Sequence, residues 1–192
     1  MDAEARSVLD FWFGEPGSPG HGRSRPEWFR KDAAFDGEIR RRFLALHACA
    51  ALGERAAWRE EPGSLLALVI VLDQFSRNLH RDDPRAFSQD GEALAAAKEM
   101  IARGWDLQRL PVERQFVYLP FEHAESLPEQ DRAVALFGPL EAFEQTKGLV
   151  AWADKHRRII RRFGRFPHRN AALGRESTPE ETAFLAGPDS RF

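Results

Sequence analysis

Along most of this chain apolar residues recur every three or four positions, the spacing that puts them on one face of a helix. Val8, Leu9, Trp12 and Phe13 predict a first helix over 3–13, stopped by Gly14. Residues 14–26 hold four glycines and three prolines and read as a surface loop, after which Trp28 and Phe29 anchor the chain again. Phe35, Ile39, Phe43, Leu46 and Ala50 predict a second helix over 32–52, closed by Gly53.

A different pattern follows Pro62 and Gly63. LLALVIVLDQF, residues 65–75, is apolar almost all round and predicts a central buried helix with Ser64 as its N-cap. A strand is the alternative for so β-branched a run, but no second run of that kind exists to satisfy its backbone groups. Asp73, Gln74, Arg77 and Asn78 then project from the end of the buried segment, with Asp73 and Arg77 one turn apart and able to pair.

Leu94, Ala97 and Ile101 predict a helix over 89–103, and Pro111 opens another that Pro120 kinks or breaks just before Glu122, His123 and Glu125. Ser126 and Glu129 fit a capping box for a helix with Ala133, Leu136, Phe137 and Leu140 inward, bent at Gly138 and Pro139. Leu149, Trp152, His156, Ile159 and Phe163 form the stripe of the next helix, which ends at Gly164. Thr178-Pro179-Glu180-Glu181 combines an N-cap, a first-turn proline and a reciprocal glutamate. The pattern therefore predicts an all-α fold, with residues 1–192 as one helical domain.

Composition narrows the setting. Hydrophobic residues at 43% and charged residues at 30% describe a soluble globular chain, the longest apolar run is far too short to span a bilayer, and the start lacks the regions of a signal peptide, so a cytoplasmic protein is expected. The single Cys49 forms no intrachain disulfide and reads as core filler. The net charge of −2 is unevenly spread: residues 147–192 carry ten Lys or Arg against five Asp or Glu. Seven of these arginines fall between Arg157 and Arg175, interleaved with Phe163, Phe166, His168 and Asn170, on a connection that Gly164 and Pro167 constrain.

The motifs DQFSRN (73–78), FVYLPFEHAE (116–125) and RFGRFPHRNAALGRESTPEE (162–181), with FWFG at 11–14, occur in the order of a bacterial family known as domain of unknown function 924, which the chain resembles over nearly its whole length. The resemblance implies an all-helical fold of stacked antiparallel helix hairpins, tetratricopeptide-like, and implies no activity. The chain has Ser76 where a proline is common, and His123-Ala124-Glu125 where members tend to have His-Ser-Glu; with Ala124 in place of the serine, the case for a nucleophile in that motif is weakened.

For chemistry, no HExxH, paired Glu-x-x-His or EF-hand spacing is present, so no metal site is expected. No Gly-rich phosphate loop or G-x-S-x-G elbow points to a cofactor or an activated serine. Asp73, Arg77, Glu122, His123, Arg165, His168 and Arg169 are expected to converge, since the buried acidic groups and the surplus arginines need one another. The leading reading is a pocket of Asp73, Arg77, Asn78, Arg165, His168, Arg169 and Asn170 that binds a small anionic ligand or an acidic peptide end. The second is a hydrolase or transferase using His168 or His123 with Glu122 or Glu125 as acid and base. The third is an interaction scaffold whose polar network is structural. Nucleic-acid binding ranks low, because Phe163 and Phe166 read as packed and the chain is acidic overall.

Overall fold

Residues 62–79 form one continuous helix through the middle of the molecule, and the other long helices are arranged on it. The structure, a computed structural model, describes residues 1–190, the side chain of residue 189 excepted. Its α-helices are α1 (Ala3–Phe13), α2 (Ala33–Ala51), α3 (residues 62–79), α4 (Asp90–Ala102), α5 (Pro111–His123), α6 (Leu127–Phe137), α7 (Leu149–Phe163) and α8 (Pro179–Leu185), joined by short 3₁₀ turns. No strand occurs among the described residues, and no helix is long and apolar enough to cross a membrane. Helices α1, α2, α4 and α5 pack on α3, while α6 packs between α5 and α7.

Leu65 through Phe75 are all buried, because a helix apolar all round satisfies its backbone internally and can be surrounded on every side. Trp12, Phe13, Trp28, Phe35, Phe75 and Phe116 form an aromatic cluster against it, in which Trp12 stacks on Trp28 and meets Phe75 and Phe116 edge-on. Ile159, Ile160 and Phe166 make a smaller core with Leu127, Phe163 and Phe184. Phe166 is fully buried in this core and Phe163 packs at its margin.

Several local expectations need correction. Glu61, not Ser64, is the N-cap of α3, because Pro62 already suits the first helical position; Ser64 is buried within the helix. The helix does not end after Asp73. Val71–Phe75 is a π-turn, and Ser76–Leu79 continues the helix beyond it. A π-turn inserts one residue and loosens the i→i−4 ladder. Here Ser76 Oγ donates to the Leu72 carbonyl at 2.6 Å and Arg77 donates to the Asp73 carbonyl at 2.9 Å.

Pro120 lies inside α5 without breaking it. The core stripe of α4 is Ala93, Ala96, Ala97 and Met100, so Leu94 and Ile101 fall at its margins. Trp152 is half exposed on α7, Phe29 is exposed, and Cys49 is only half-buried. Ser126 occupies the N-cap of α6 but its hydroxyl makes no capping bond; Glu129 pairs with Lys98 at 2.5 Å instead. The box at Thr178 forms as the sequence indicates, Glu181 N–H donating to Thr178 Oγ1 at 3.2 Å and Thr178 N–H to Glu181 at 2.8 Å.

Candidate functional site

The π-turn determines where Asp73 points. Its side chain is 1% exposed; Oδ1 accepts from His123 Nδ1 at 2.7 Å and forms an ion pair with Arg77 at 3.1 Å, while Oδ2 accepts from Gln74 at 2.6 Å. Burial by itself would raise the carboxyl's pKa, but Arg77 and His123 outweigh it and hold the group well below the usual carboxylate range. The ionised Asp73 therefore accepts a hydrogen bond from Nδ1–H of a neutral His123, whose own pKa is lowered by burial and by Arg77. Nε2 makes no hydrogen bond to the described residues.

His123 forms part of the wall of a groove of about 530 Å³, within the range of about 300–1,000 Å³ typical of small-molecule sites. The groove runs between the start of α4 and the end of α5. Asp90, Glu125 and Arg169 are its other charged residues; Phe87, Leu94 and Leu173 give it carbon surface.

Asp90, which stands alone in the sequence, is the hub of the charged wall. It accepts from Arg77 at 2.9 and 3.2 Å and from Arg169 at 2.9 Å. Arg169 also donates to the His123 carbonyl at 3.0 Å, and its guanidinium lies between the rings of Phe87 (4.6 Å) and Phe166 (4.7 Å). Burial lowers the Arg169 pKa to about 10, which leaves it charged at neutral pH.

Of the residues expected to converge, Asp73, Arg77, His123 and Arg169 form this single network. Glu122 lies beside it on the side away from the groove, 3.1 Å from His156 Nδ1. Burial, then the charge of Asp73, raises the Glu122 pKa to about 8, and burial lowers His156 to about 3. At pH 7 both are neutral. The contact is therefore not an ion pair, and His156 Nδ1–H donates to the Trp152 carbonyl at 2.9 Å. His168 packs its ring against Phe166, 5.5 Å between centroids, and is not part of the groove wall. Desolvation of that ring and the charges of Arg169 and Arg77 lower its pKa.

Three expected residues lie in other networks. Arg165 forks onto Glu181 at 2.7 and 2.8 Å, because the capping glutamate of α8 keeps lone pairs for it. Asn170 bridges Ser177, Glu181 and Arg175. Asn78 donates to Asp36 at 2.8 Å on the opposite flank of α3. Arg175, passed over in the sequence reading, forks onto Glu125 at 2.7 and 2.9 Å. Each of the seven arginines from Arg157 to Arg175 reaches a carboxylate: Asp131 or Asp154 for Arg157, Arg158 and Arg161, Glu180 for Arg162, and Glu181, Asp90 and Glu125 for the rest. Each of the seven charges is thus paired within the fold, although Arg157 Nε and Arg169 Nε stay buried without a hydrogen-bond partner. Among the described residues no three His, Cys, Asp or Glu side chains converge as metal ligands.

The family model for a bacterial protein of unknown function, DUF924, matches residues 8–189. The fold is similar to that of the solved protein of unknown function ATU0120 from Agrobacterium tumefaciens, with a TM-score of 0.83 and 43% sequence identity over 96% of this chain and 97% of that one. No curated protein matches the chain.

Proposed function

This chain belongs to the DUF924 family of bacterial proteins of unknown function, and from its groove we propose that it is a hydrolase or transferase in which His123 is the general base. The observation that carries the reading is the buried Asp73 behind His123 Nδ1 at 2.7 Å. A buried carboxylate on one ring nitrogen fixes the tautomer, directs the lone pair of the other nitrogen, and stabilises the imidazolium formed when that nitrogen takes a proton. Such an arrangement suits removal of a proton from water or from a hydroxyl or amine acceptor in the groove. Arg169, on the same wall, supplies a fixed positive charge beside the reacting centre.

A small-molecule ligand is part of this reading, and the groove rather than the basic C-terminal segment is where it sits. The test is a turnover panel of chromogenic esters, amides and phosphate esters run with the wild type, His123→Gln and Arg161→Gln, whose side chain is 58% exposed on α7. His123→Gln is expected to lower kcat about a hundredfold or more, the scale of general-base catalysis, with the melting temperature nearly unchanged. Arg161→Gln should match the wild type. Turnover that survives His123→Gln would end the reading.

A further inference from the structure

Resting on that reading, we propose that the site's substrate is a neutral acyl compound, an ester or amide, whose apolar acyl chain lies along Gly91 between Phe87, Leu94 and Leu173 while its carbonyl meets His123. Two features of the groove select this chemistry. The first is charge. The arginine forks around the groove are already committed, Arg77 and Arg169 to Asp90 and Arg175 to Glu125, so an incoming phosphate or carboxylate would have to displace a carboxylate or lie against it. Leaving a buried charge without its partner is strongly unfavourable, whereas a neutral carbonyl asks for no such exchange.

The second feature is an exposed stretch of α4 without a side chain on the groove wall. Gly91 stands on the groove wall in the first turn of that helix, and a Cβ placed there meets nothing within 4 Å. Helical backbone with no side chain, flanked by Phe87 and Leu94, leaves an apolar channel open to solvent along the groove wall that His123 also lines. The margin position of Leu94 thereby acquires a role: it packs against the core and also lines the groove.

In the reaction, His123 Nε2 takes a proton from water as the water oxygen bonds to the acyl carbon. The bond from that carbon to the leaving oxygen or nitrogen then breaks, and the proton passes from Nε2 to the leaving atom, giving an acid and an alcohol or amine. Asp73 acts as a positioning residue through His123.

The experiment uses the full chain and p-nitrophenyl esters from acetate to octanoate, with the matching p-nitroanilides. In the wild type kcat/KM should rise about three- to fourfold per methylene until the channel is filled. Gly91→Phe should bring the hexanoate-to-acetate ratio close to one, and Gly91→Ala should reduce it part way. Melting curves confirm that both variants fold, and the alanine variant carries the test if the phenylalanine variant does not. A wild-type ratio already near one overturns the acyl seat; if His123→Gln still abolishes that turnover, the general-base reading stands without it. Turnover that rises with chain length but ignores His123→Gln overturns the base and keeps the seat. No turnover of any ester or anilide above the buffer rate overturns the acyl assignment.

Discussion

Two histidines meet α3 on either side of its π-turn, and they show how one backbone irregularity produces two kinds of pair. His123 Nδ1 meets a carboxylate, its Nε2 makes no hydrogen bond to the described residues, and the residue lines the groove. His47 Nε2 meets Ser76 Oγ at 2.8 Å, an arrangement that in outline resembles a base beside a serine nucleophile. The proton directions exclude that role. Ser76 Oγ–H is already directed to the Leu72 carbonyl, so Nε2 must donate to the serine rather than accept from it. Ser76 is fully buried, and burial followed by the charge of His80 lowers the His47 pKa to about 4. One pair is therefore open to chemistry and the other closes the backbone. The difference lies in what each acceptor has left to accept, not in residue type.

The largest effect should come from breaking the open pair. Asp73→Ala leaves Arg77 with Asp90 alone and His123 without an acceptor, and should destabilise by about 3–5 kcal/mol in denaturant melts, the cost of removing one member of a buried ionic network. A loss below about 1 kcal/mol would mean that water replaces the carboxylate and that Asp73 does not hold the wall together.

Breaking the closed pair is expected to cost less. Ser76→Ala strands the His47 N–H and the Leu72 carbonyl, a change of about 1–3 kcal/mol, and should leave the ¹⁵N shifts of the His123 ring where they are. Movement of those shifts would couple the two sides of the turn and contradict the contrast.

The smallest effect concerns Glu122, which lies behind the open pair. Its pKa in the folded protein is about 8 against an ordinary 4.5, so between those values the folded state keeps a proton that the unfolded chain has released. Stability therefore falls as pH rises through that window. His47 and His156 act in the opposite sense: their pKa values are lowered to about 4 and about 3, so stability is lost as pH falls below 6.5. From pH 6.5 to 8 the wild type should lose up to about 1.4 kcal/mol per pH unit relative to Glu122→Gln, which keeps only the opposite slope of the histidines. Equal slopes would show that Glu122 is ionised, and would weaken the case that Asp73 is the single charged acid behind His123.

Much of the fold was legible because helices report themselves locally. The apolar period marked nearly every long helix, glycines marked their ends, and Thr178-Pro179-Glu180-Glu181 placed a cap within a residue. Pairing of Asp73 with Arg77 was legible for the same reason, since four residues of helix bring them together. The apolar stripes were less reliable where a helix lies at the edge of the bundle, as Trp152 and Leu94 show.

By itself, then, the sequence determined an all-α chain, a buried central helix and the short-range contacts that helical geometry imposes. The π-turn, the hub role of Asp90, the diversion of Arg165 to Glu181 and of Asn78 to Asp36, and the two different uses of histidine were decided only in three dimensions. The reason is competition. A guanidinium has no preference in sequence among thirty carboxylates, and its partner is the acceptor that packing leaves closest and least satisfied.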